Sequence, residues 1–255
     1  MIPLIIFLGF LPGLIWLLFY IREDTDHEPI HEIILAFIGG IGVTIIVLIV
    51  QIYYRDIIDN LNLFYSEQTL QQIPLIPSNG FLGLFGFAAI EEIFKFGIAY
   101  FLISKSKYFD VPIDAMIYII VVALGFATVE NIGALINQFN KSQLLANNEA
   151  LTNIIGTITL RFVGATLLHT LASGLVGYYW AKGILQKSLT KNILIGLTLA
   201  TIIHTVFNVL VLNLENRALY PLLLLIVTGF FILNDFEKLK NPSPEDLNTL
   251  ANSHA

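Results

Sequence analysis

Five ionisable side chains lie inside long apolar stretches of this chain, where surrounding lipid would make an unpaired charge costly. They are Glu91, Glu92, Glu130, His169 and His204, and they come from four different stretches. A charge near the centre of a bilayer costs roughly 3 kcal/mol or more, and it persists only when it is paired, bound or facing a wet cavity. Four stretches that each carry such a residue therefore predict one shared polar site.

Glutamates and histidines in one site are suited to two kinds of chemistry. They can bind a divalent metal through His nitrogen and Glu oxygen, while another Glu activates a water molecule. They can also catalyse hydrolysis without a metal, with a Glu pair activating water and His or Asn stabilising the oxyanion. The chain contains no HExxH motif, which is the signature of standard zinc-protease helices, and spacing alone does not choose between the two mechanisms.

The element Glu91-Glu92-Ile93-Phe94-Lys95 concentrates charge in one apolar stretch. Glu91 and Lys95 are four residues apart, so they share a helix face and can pair. Glu92 points about 100° away and has no such local partner. Two adjacent carboxylates in a low-dielectric site should not both ionise easily, which suits one of them to act as a general base or acid. A purely structural ion pair is the alternative interpretation.

Other polar residues accompany the remaining candidates. Asn131 follows Glu130 and could orient its carboxylate or cap a helix break. Arg161 and His169 are eight residues apart, roughly on one helix face, so Arg161 is a candidate counter-charge for a carboxylate. Snorkelling of Arg161 to the outer surface is the alternative. Asn208 lies one helical turn after the histidine of its own stretch.

Composition identifies the kind of protein that must position these residues. Of the 255 residues, 56% are hydrophobic and only 13% are charged, against about 25% charged in typical soluble domains. The long apolar runs predict an all-α, polytopic transmembrane helical bundle. The chain has no cysteine, which excludes a disulfide framework, a thiolate nucleophile and a Cys-based zinc site.

The apolar runs predict about seven spans in a single integral membrane domain, residues 1–234, followed by a polar cytoplasmic tail, residues 235–255. The predicted spans are residues 2–21, 33–54, 81–103, 113–136, 154–181, 193–212 and 218–233. Residues 55–80, between the second and third spans, mix apolar with polar side chains. This mixture fits either an interfacial amphipathic helix or a plain extracellular loop.

Lysine and arginine predict the orientation of the spans, because they are in excess on the cytoplasmic side. One set of connections holds Arg22, Lys105, Lys107, Lys182, Lys187, Lys191, Lys238 and Lys240, and the opposite set holds Arg55, Lys141 and Arg217. This bias predicts an external N-terminus and a cytoplasmic C-terminus. Counted from the predicted outer ends, the five ionisable residues lie roughly 9 to 20 Å below the outer surface, which favours one cavity in the outer half of the membrane.

Four elements, in this order, resemble the PrsW family of intramembrane proteases, which is related to the CAAX prenyl endopeptidases and bacteriocin-processing proteins. They are EExxK at Glu91, Glu92 and Lys95; FxxxEN at Phe126, Glu130 and Asn131; the histidine His169; and HxxxN at His204 and Asn208. The segments 26–29 and 112–131 and the position of Arg161 also resemble the family, while Ala115 stands where the family pattern has glycine. The resemblance covers residues 20 to 212.

The resemblance implies a bacterial multi-pass membrane endopeptidase with a CAAX-protease-like core at about residues 81–212. Its implied substrate is a membrane-anchored protein, such as an anti-sigma factor at its first cleavage, and no nucleic acid is an expected partner. In this interpretation Glu91 and Glu92 activate water, and Lys95 and Arg161 balance charge. Glu130, His169 and His204 are the predicted ligands if a divalent metal is bound, zinc above all. A metal-free mechanism stays open, with Asn208 among the catalytic residues.

Two alternative functions belong to other classes. Membrane carboxylates and histidines also form the proton relays of ion-coupled transporters. Transporters often show inverted repeats with helices broken at matching positions, and this sequence shows no such symmetry. A non-catalytic membrane scaffold that retains the fold is the other alternative.

Overall fold

A computed structural model describes residues 1–23, 28–69, 74–144, 150–213 and 219–241, and all regular structure among these residues is helical. The α-helices are α1 (Ile2–Tyr20), α2 (Ile30–Thr69), α3 (Phe81–Ile103), α4 (Asp114–Leu144), α5 (Ala150–Val163), α6 (Ala165–Leu185), α7 (Leu189–Asn213) and α8 (Leu219–Lys240), with a short 3-10 helix at Ile21–Glu23. The predicted all-α architecture is confirmed.

Six stretches of the described chain are long and apolar enough to cross a membrane. They are Ile2–Tyr20, Ile30–Thr69, Asp114–Ser142, Leu151–Leu185, Leu189–Leu212 and Leu219–Lys240. The remaining long helix, α3, has 23 residues but carries Glu91, Glu92 and Lys95 near its middle. All three side chains are buried inside the bundle, so α3 presents no charge to lipid at this level. The protein is therefore a multi-pass membrane protein.

Helix α4 forms the centre of the bundle. Every residue from 115 to 128 is buried, and α4 packs against α1, α2, α3, α5 and α6. A helix that is apolar on all sides is stable only when it is surrounded, either by lipid or by protein. Here the surrounding elements are protein helices, and the end of this buried segment leads directly to Glu130 and Asn131.

The crossing of α2 and α4 depends on two glycines. A Cβ atom at Gly40 would lie 2.0 Å from the carbonyl oxygen of Val122, and one at Gly125 would lie 2.0 Å from the carbonyl oxygen of Phe37. These contacts are made by backbone atoms, which cannot rotate away. Glycine at both positions therefore lets the two helices approach at backbone contact distance, as small residues do in membrane bundles.

The second predicted span continues as helix far beyond its expected end. Helix α2 has 40 residues, about 60 Å at 1.5 Å per residue, which is about twice the thickness of the hydrocarbon core. Residues 55–69 are therefore neither a loop nor a separate helix, but a continuous extension of α2. Asn62 ties this extension to the chain that returns to α3, through hydrogen bonds with both backbone groups of Ile76 at 2.8 and 2.9 Å. Residues 70–73 lie outside the described chain.

The fifth predicted span, residues 154–181, is divided into two helices. Gly164 separates α5 from α6, with φ −100° and ψ −91°, outside the helical range. The last helix also differs from the prediction, since α8 continues to Lys240 and buries Asp235 and Phe236, which the sequence assigned to the tail. Residues 242–255 of the predicted tail lie outside the described chain.

Candidate functional site

The predicted site residues come from five helices and, with one exception, they form one network of hydrogen bonds and ion pairs. Helix α3 contributes Glu91, Glu92 and Lys95, α4 contributes Glu130 and Asn131, α5 contributes Arg161, α6 contributes His169, and α7 contributes His204 and Asn208. The exception is Asn208. It is half-buried one turn after His204, and no hydrogen bond joins its side chain to another part of the described chain.

Glu92 joins three helices. Its side chain is completely buried. The Oε1 atom accepts a hydrogen bond from Lys95 Nζ at 2.6 Å and lies 2.9 Å from His204 Nδ1. The Oε2 atom accepts a hydrogen bond from Ser173 Oγ at 3.1 Å. The predicted pair of Lys95 and Glu91 is present, with 4.0 Å between Lys95 Nζ and Glu91 Oε2. The expectation that Glu92 has no local partner was wrong, because Glu92 lies closer to Lys95 than Glu91 does. The i,i+3 spacing brings the two side chains together.

Lys95 is a completely buried cation with partners on several sides. Besides Glu92, its Nζ lies 3.1 Å from His169 Nδ1 and 4.8 Å from the centroid of the Phe126 ring. An ammonium group has three donors and is attracted by an aromatic face, so these contacts compensate its removal from water. Its positive charge therefore lies between the carboxylates of α3 and the histidine of α6.

The two histidines have matching surroundings. His169 Nε2 lies 2.9 Å from Glu130 Oε2, and its Nδ1 lies 3.9 Å from Glu91 Oε2. His204 Nδ1 lies 2.9 Å from Glu92 Oε1, and its Nε2 lies 3.7 Å from Glu91 Oε2. Each ring therefore has one nitrogen held by a carboxylate and the other directed at Glu91. A carboxylate on one nitrogen holds the proton there and makes the other nitrogen an acceptor or ligand. In His169 this other nitrogen, Nδ1, already accepts a hydrogen bond from Lys95 Nζ at 3.1 Å.

Glu91 lies at the point where both histidines meet. Its Oε1 accepts a hydrogen bond from Gln51 Nε2 at 3.0 Å, whereas its buried Oε2 has no hydrogen-bond partner in the described chain. A buried carboxylate oxygen without a partner is costly, and in a native structure it usually marks a functional role, a water or an ion. Gln51 was missed by sequence analysis. It is a polar residue inside an apolar run, like the others, but it carries no charge.

A second layer of contacts surrounds Glu130. Arg161 donates to Glu130 Oε2 at 3.1 Å and, through Nε, to Asn131 Oδ1 at 2.6 Å. Asn131 in turn donates to Thr166 Oγ1 at 3.1 Å, in the first turn of α6 beside the break at Gly164. Arg161 therefore serves as the counter-charge of Glu130, which was one of its two interpretations, and does not extend to the outer surface. Asn131 connects Arg161 to the start of α6 instead of contacting Glu130.

Three side chains are arranged so that they could hold a metal ion. One ligand atom each from Glu91, His169 and His204 lies within 4.8 Å of the others, and all three residues are buried. Two histidines and one glutamate form a known ligand set of catalytic zinc, which leaves a fourth position for water. The set fits a metal, because Glu91 Oε2 lacks a partner and each histidine is held by a carboxylate on its other nitrogen.

This ligand set differs from the predicted one in a single residue. Glu130 was expected beside His169 and His204, but its Oε2 contacts the nitrogen of His169 opposite to the one that faces Glu91. Glu130 is thus placed to orient His169, and Glu91 takes its place among the converging atoms. Helical periodicity cannot distinguish these roles, since it gives the face of a residue and not the direction of its final two bonds.

A cavity of about 350 Å³ leads to this site. It is lined by Gln51, Arg55, Ser78, Asn79, Leu84, Phe87, Glu91 and Leu212. The lining joins α2 at Gln51 and Arg55, the chain before α3, the first half of α3, and the last turn of α7. Ligand-binding clefts in proteins typically measure about 300 to 1,000 Å³, so this cavity is at the lower end of that range. Glu91 is therefore reached from the end of the bundle at which α3 begins.

Comparison with known proteins gives one family. Residues 15–233 match the family described as PrsW family intramembrane metalloprotease. The chain is 25% identical over 244 residues to a protein named Protease PrsW from Bacillus subtilis (strain 168), covering 93% of this chain and 96% of the relative. It is 24% identical over 234 residues to Protease PrsW from Geobacillus kaustophilus (strain HTA426), covering 91% and 90%.

A clostridial relative agrees with these two. Protease PrsW from Clostridioides difficile (strain 630) is 25% identical over 245 residues, covering 92% of this chain and 91% of the relative. No solved structure is significantly similar to the chain.

Proposed function

Since the chain belongs to the PrsW family of intramembrane metalloproteases, we propose that this intramembrane protease hydrolyses its substrates at the site formed by Glu91, Glu92, Glu130, His169 and His204. The substrates of such an enzyme are membrane-embedded proteins. We further propose that the first cleavage of a membrane-anchored anti-sigma factor is its role. The catalytic core then comprises α3 to α7, with Gln51 of α2 as an additional member.

One observation supports this assignment above the others. Glu91 Oε2 is buried, lacks a hydrogen-bond partner in the described chain, and lies within 4 Å of a nitrogen of both histidines. Glu91 also lines the cavity that opens at the end of the bundle. A buried carboxylate oxygen without a hydrogen-bond partner, on a residue that lines a cavity, is suited to take a proton from water or to bind a metal ion. Glu92 is less suited to this task, since both of its oxygens already accept hydrogen bonds.

The other carboxylates position the histidines. Glu92 holds His204 at Nδ1 and Glu130 holds His169 at Nε2, so the opposite nitrogen of each ring is directed at Glu91. Such carboxylate–histidine pairs fix the tautomer and the ring orientation of metal ligands. When a divalent metal is bound, Glu91, His169 and His204 would hold it, and it would polarise the scissile carbonyl and acidify bound water.

Asn208 keeps its predicted role in this proposal. Residues 204, 208 and 212 are spaced four apart on α7 and share one face, and Leu212 of this row lines the cavity. A peptide that passes from the cavity toward His204 therefore passes Asn208. Its side-chain amide is a suitable donor to the oxyanion that forms at the scissile carbonyl.

The test combines cleavage with metal content on purified, detergent-solubilised protein. We expect wild type to cleave a membrane-anchored substrate, and Glu91→Gln to lower the rate by about 10² to 10⁴, the contribution of a positioned general base. Glu92→Gln should also lose activity, through loss of the His204 contact. Glu67→Gln, an exposed glutamate on the extension of α2, is the matched control and should retain the wild-type rate.

Chelation distinguishes the two mechanisms. Activity that disappears with EDTA and returns with zinc, in proportion to bound metal, indicates a metalloprotease with Glu91 among the ligands. Activity that is indifferent to EDTA but lost in Glu91→Gln indicates a glutamate-activated water. A folded Glu91→Gln protein that cleaves at the wild-type rate would overturn the proposed site.

A further inference from the structure

We propose that the cavity beside Glu91 binds the part of the substrate just outside its membrane span, and that Arg55 selects substrates with an acidic side chain there. This inference rests on the proposed proteolytic function. It adds a substrate class and a specificity-determining residue to it.

The lining of the cavity suits an extended peptide. Leu84, Phe87 and Leu212 supply apolar surface, while Gln51, Ser78 and Asn79 supply side chains that can hydrogen-bond to a peptide backbone. Arg55 brings a positive charge to the same lining, and Glu91 lies at the inner end. Peptide hydrolysis requires an unprotected backbone to reach Glu91, and this cavity joins Glu91 to the exterior of the bundle.

The positive charge of Arg55 is not paired with a carboxylate of the described chain. Its side chain is exposed, and among the described residues no carboxylate lies within ion-pair distance of it. Its guanidinium lies over the face of Phe87, with the ring centroid 5.6 Å from Arg55 Cζ. Phe87 also lines the cavity, so this contact holds the guanidinium at the cavity wall. A planar guanidinium binds a carboxylate through two parallel hydrogen bonds.

The position of Arg55 is well defined by its helix. Tyr54, its neighbour, packs its ring edge-on against Phe87 at 5.0 Å and donates a hydrogen bond to the carbonyl of Leu82. Gln51, one turn before Arg55, holds Glu91. Both contacts fasten α2 to α3 at the level of the cavity, so Arg55 is presented by a rigid helix and not by a loop.

The spacing limits where the acidic side chain can be. Gln51 and Arg55 are separated by about 6 Å along the helix axis. An extended peptide advances about 3.3 Å per residue. Allowing for the length of the arginine side chain, the acidic residue should lie about two to four residues from the scissile bond, on the side toward the cavity mouth.

A charge exchange in proteoliposomes tests this specificity. Single-span substrates would carry Asp, Asn or Lys at each of the six positions next to the scissile bond on the cavity side. We expect wild type to cleave the best Asp substrate about tenfold faster than its Asn counterpart, and Arg55→Gln to abolish this preference. Arg55→Glu should prefer Lys over Asp, a gain that misfolding cannot produce. Arg22→Gln, an exposed arginine in the short 3-10 helix, is the matched control and should keep the wild-type preference.

Binding separates this inference from the proposed function. Fluorescent peptides from the juxtamembrane segment, with Asp or Asn at the preferred position, would be titrated into Glu91→Gln protein with and without Arg55→Gln. Tighter binding of the Asp peptide that depends on Arg55 supports the inference even if no substrate is cleaved, in which case only the proteolytic function fails. Equal affinity for both peptides, or an Asp preference that persists in Arg55→Gln, overturns the inference and leaves the proteolytic function standing.

Discussion

At the scale of single residues, the site has more negative than positive groups and one buried cation in its middle. Lys95 Nζ lies 3.1 Å from His169 Nδ1 and 4.0 Å from Glu91 Oε2, and His169 and Glu91 are two of the three candidate metal-binding residues. The ammonium and a metal ion would therefore compete for the same histidine nitrogen. Without a metal, Lys95 provides the positive charge that Glu91 and Glu92 require in a low-dielectric environment.

This competition predicts the behaviour of Lys95→Met. In the absence of metal, the variant leaves buried carboxylates without their cation, so the free energy of unfolding should fall by about 3 to 5 kcal/mol. Zinc should raise its melting temperature more than that of wild type, because the ammonium no longer competes for His169. Thermal unfolding of the purified protein in EDTA and in zinc measures both effects. Lys105→Met, at an exposed lysine, is the control, and a zinc shift no larger than that of wild type would contradict the prediction.

At the scale of helices, the site depends on how closely the elements cross. Gly40 and Gly125 place α2 in backbone contact with α4. Gly177 places α6 equally close to α4, since a Cβ atom added at Gly177 would lie 2.6 Å from the Cα atom of Met116. These contacts bring Gln51 of α2, Glu130 of α4 and His169 of α6 to within reach of α3. A side chain added at any of these crossings would separate the helices that hold the polar network.

Gly125→Ala tests this dependence. A methyl group there would lie 2.0 Å from a backbone oxygen, so the helices must separate, and overpacking of this kind costs about 1 to 3 kcal/mol or more. We expect a lower melting temperature and loss of cleavage. Gly133→Ala on the same helix is the matched control, because in the described chain no atom beyond its chain neighbours and the backbone of its own helix lies within 4 Å of the added methyl. It should be stabilised by about 0.5 to 1 kcal/mol through its better helix propensity. Equal stability of the two variants would show that the crossing tolerates a side chain.

At the scale of the whole molecule, the bundle has two chemically different ends. Phe109 stacks on Trp180, and Tyr20 stacks on Phe236, so the C-terminal ends of α1, α6 and α8 lie together with the chain between α3 and α4. The eight Lys and Arg residues predicted to be cytoplasmic belong to this end. The cavity beside Glu91 opens at the other end, and the distribution of Lys and Arg predicts that this end faces the outer side of the membrane.

Cysteine accessibility tests the orientation, and the natural absence of cysteine gives a clean background. Single cysteines would replace Glu67, on the extension of α2, and Lys105, after α3. With an external N-terminus, a membrane-impermeant maleimide should label Glu67→Cys in intact cells. Lys105→Cys should be labelled only after permeabilisation. The reverse pattern would invert the assignment and would place the cavity on the cytoplasmic side.

The sequence by itself determined the class of the protein, the apolar stretches that form its helices and the ionisable residues that meet in the polar network. Apolar runs must form helices in lipid, because their backbone groups have no other partners, and a charge inside such a run stands out against its surroundings. Uncharged Gln51 did not stand out in this way. Local sequence also could not show that α2 continues to Thr69 or that Gly164 breaks the fifth span, since both depend on the helices packed alongside.

Only the tertiary structure decided which atoms of these residues meet. Glu91, and not the predicted Glu130, is the glutamate among the candidate metal ligands, and Lys95 lies closest to Glu92. Both outcomes follow from side-chain rotamers that neighbouring helices impose. The cavity that joins Arg55 to Glu91 exists because α2, α3 and α7 enclose it together. Periodicity assigns a residue to a helix face, but the direction of a long side chain is fixed by contacts from distant parts of the chain.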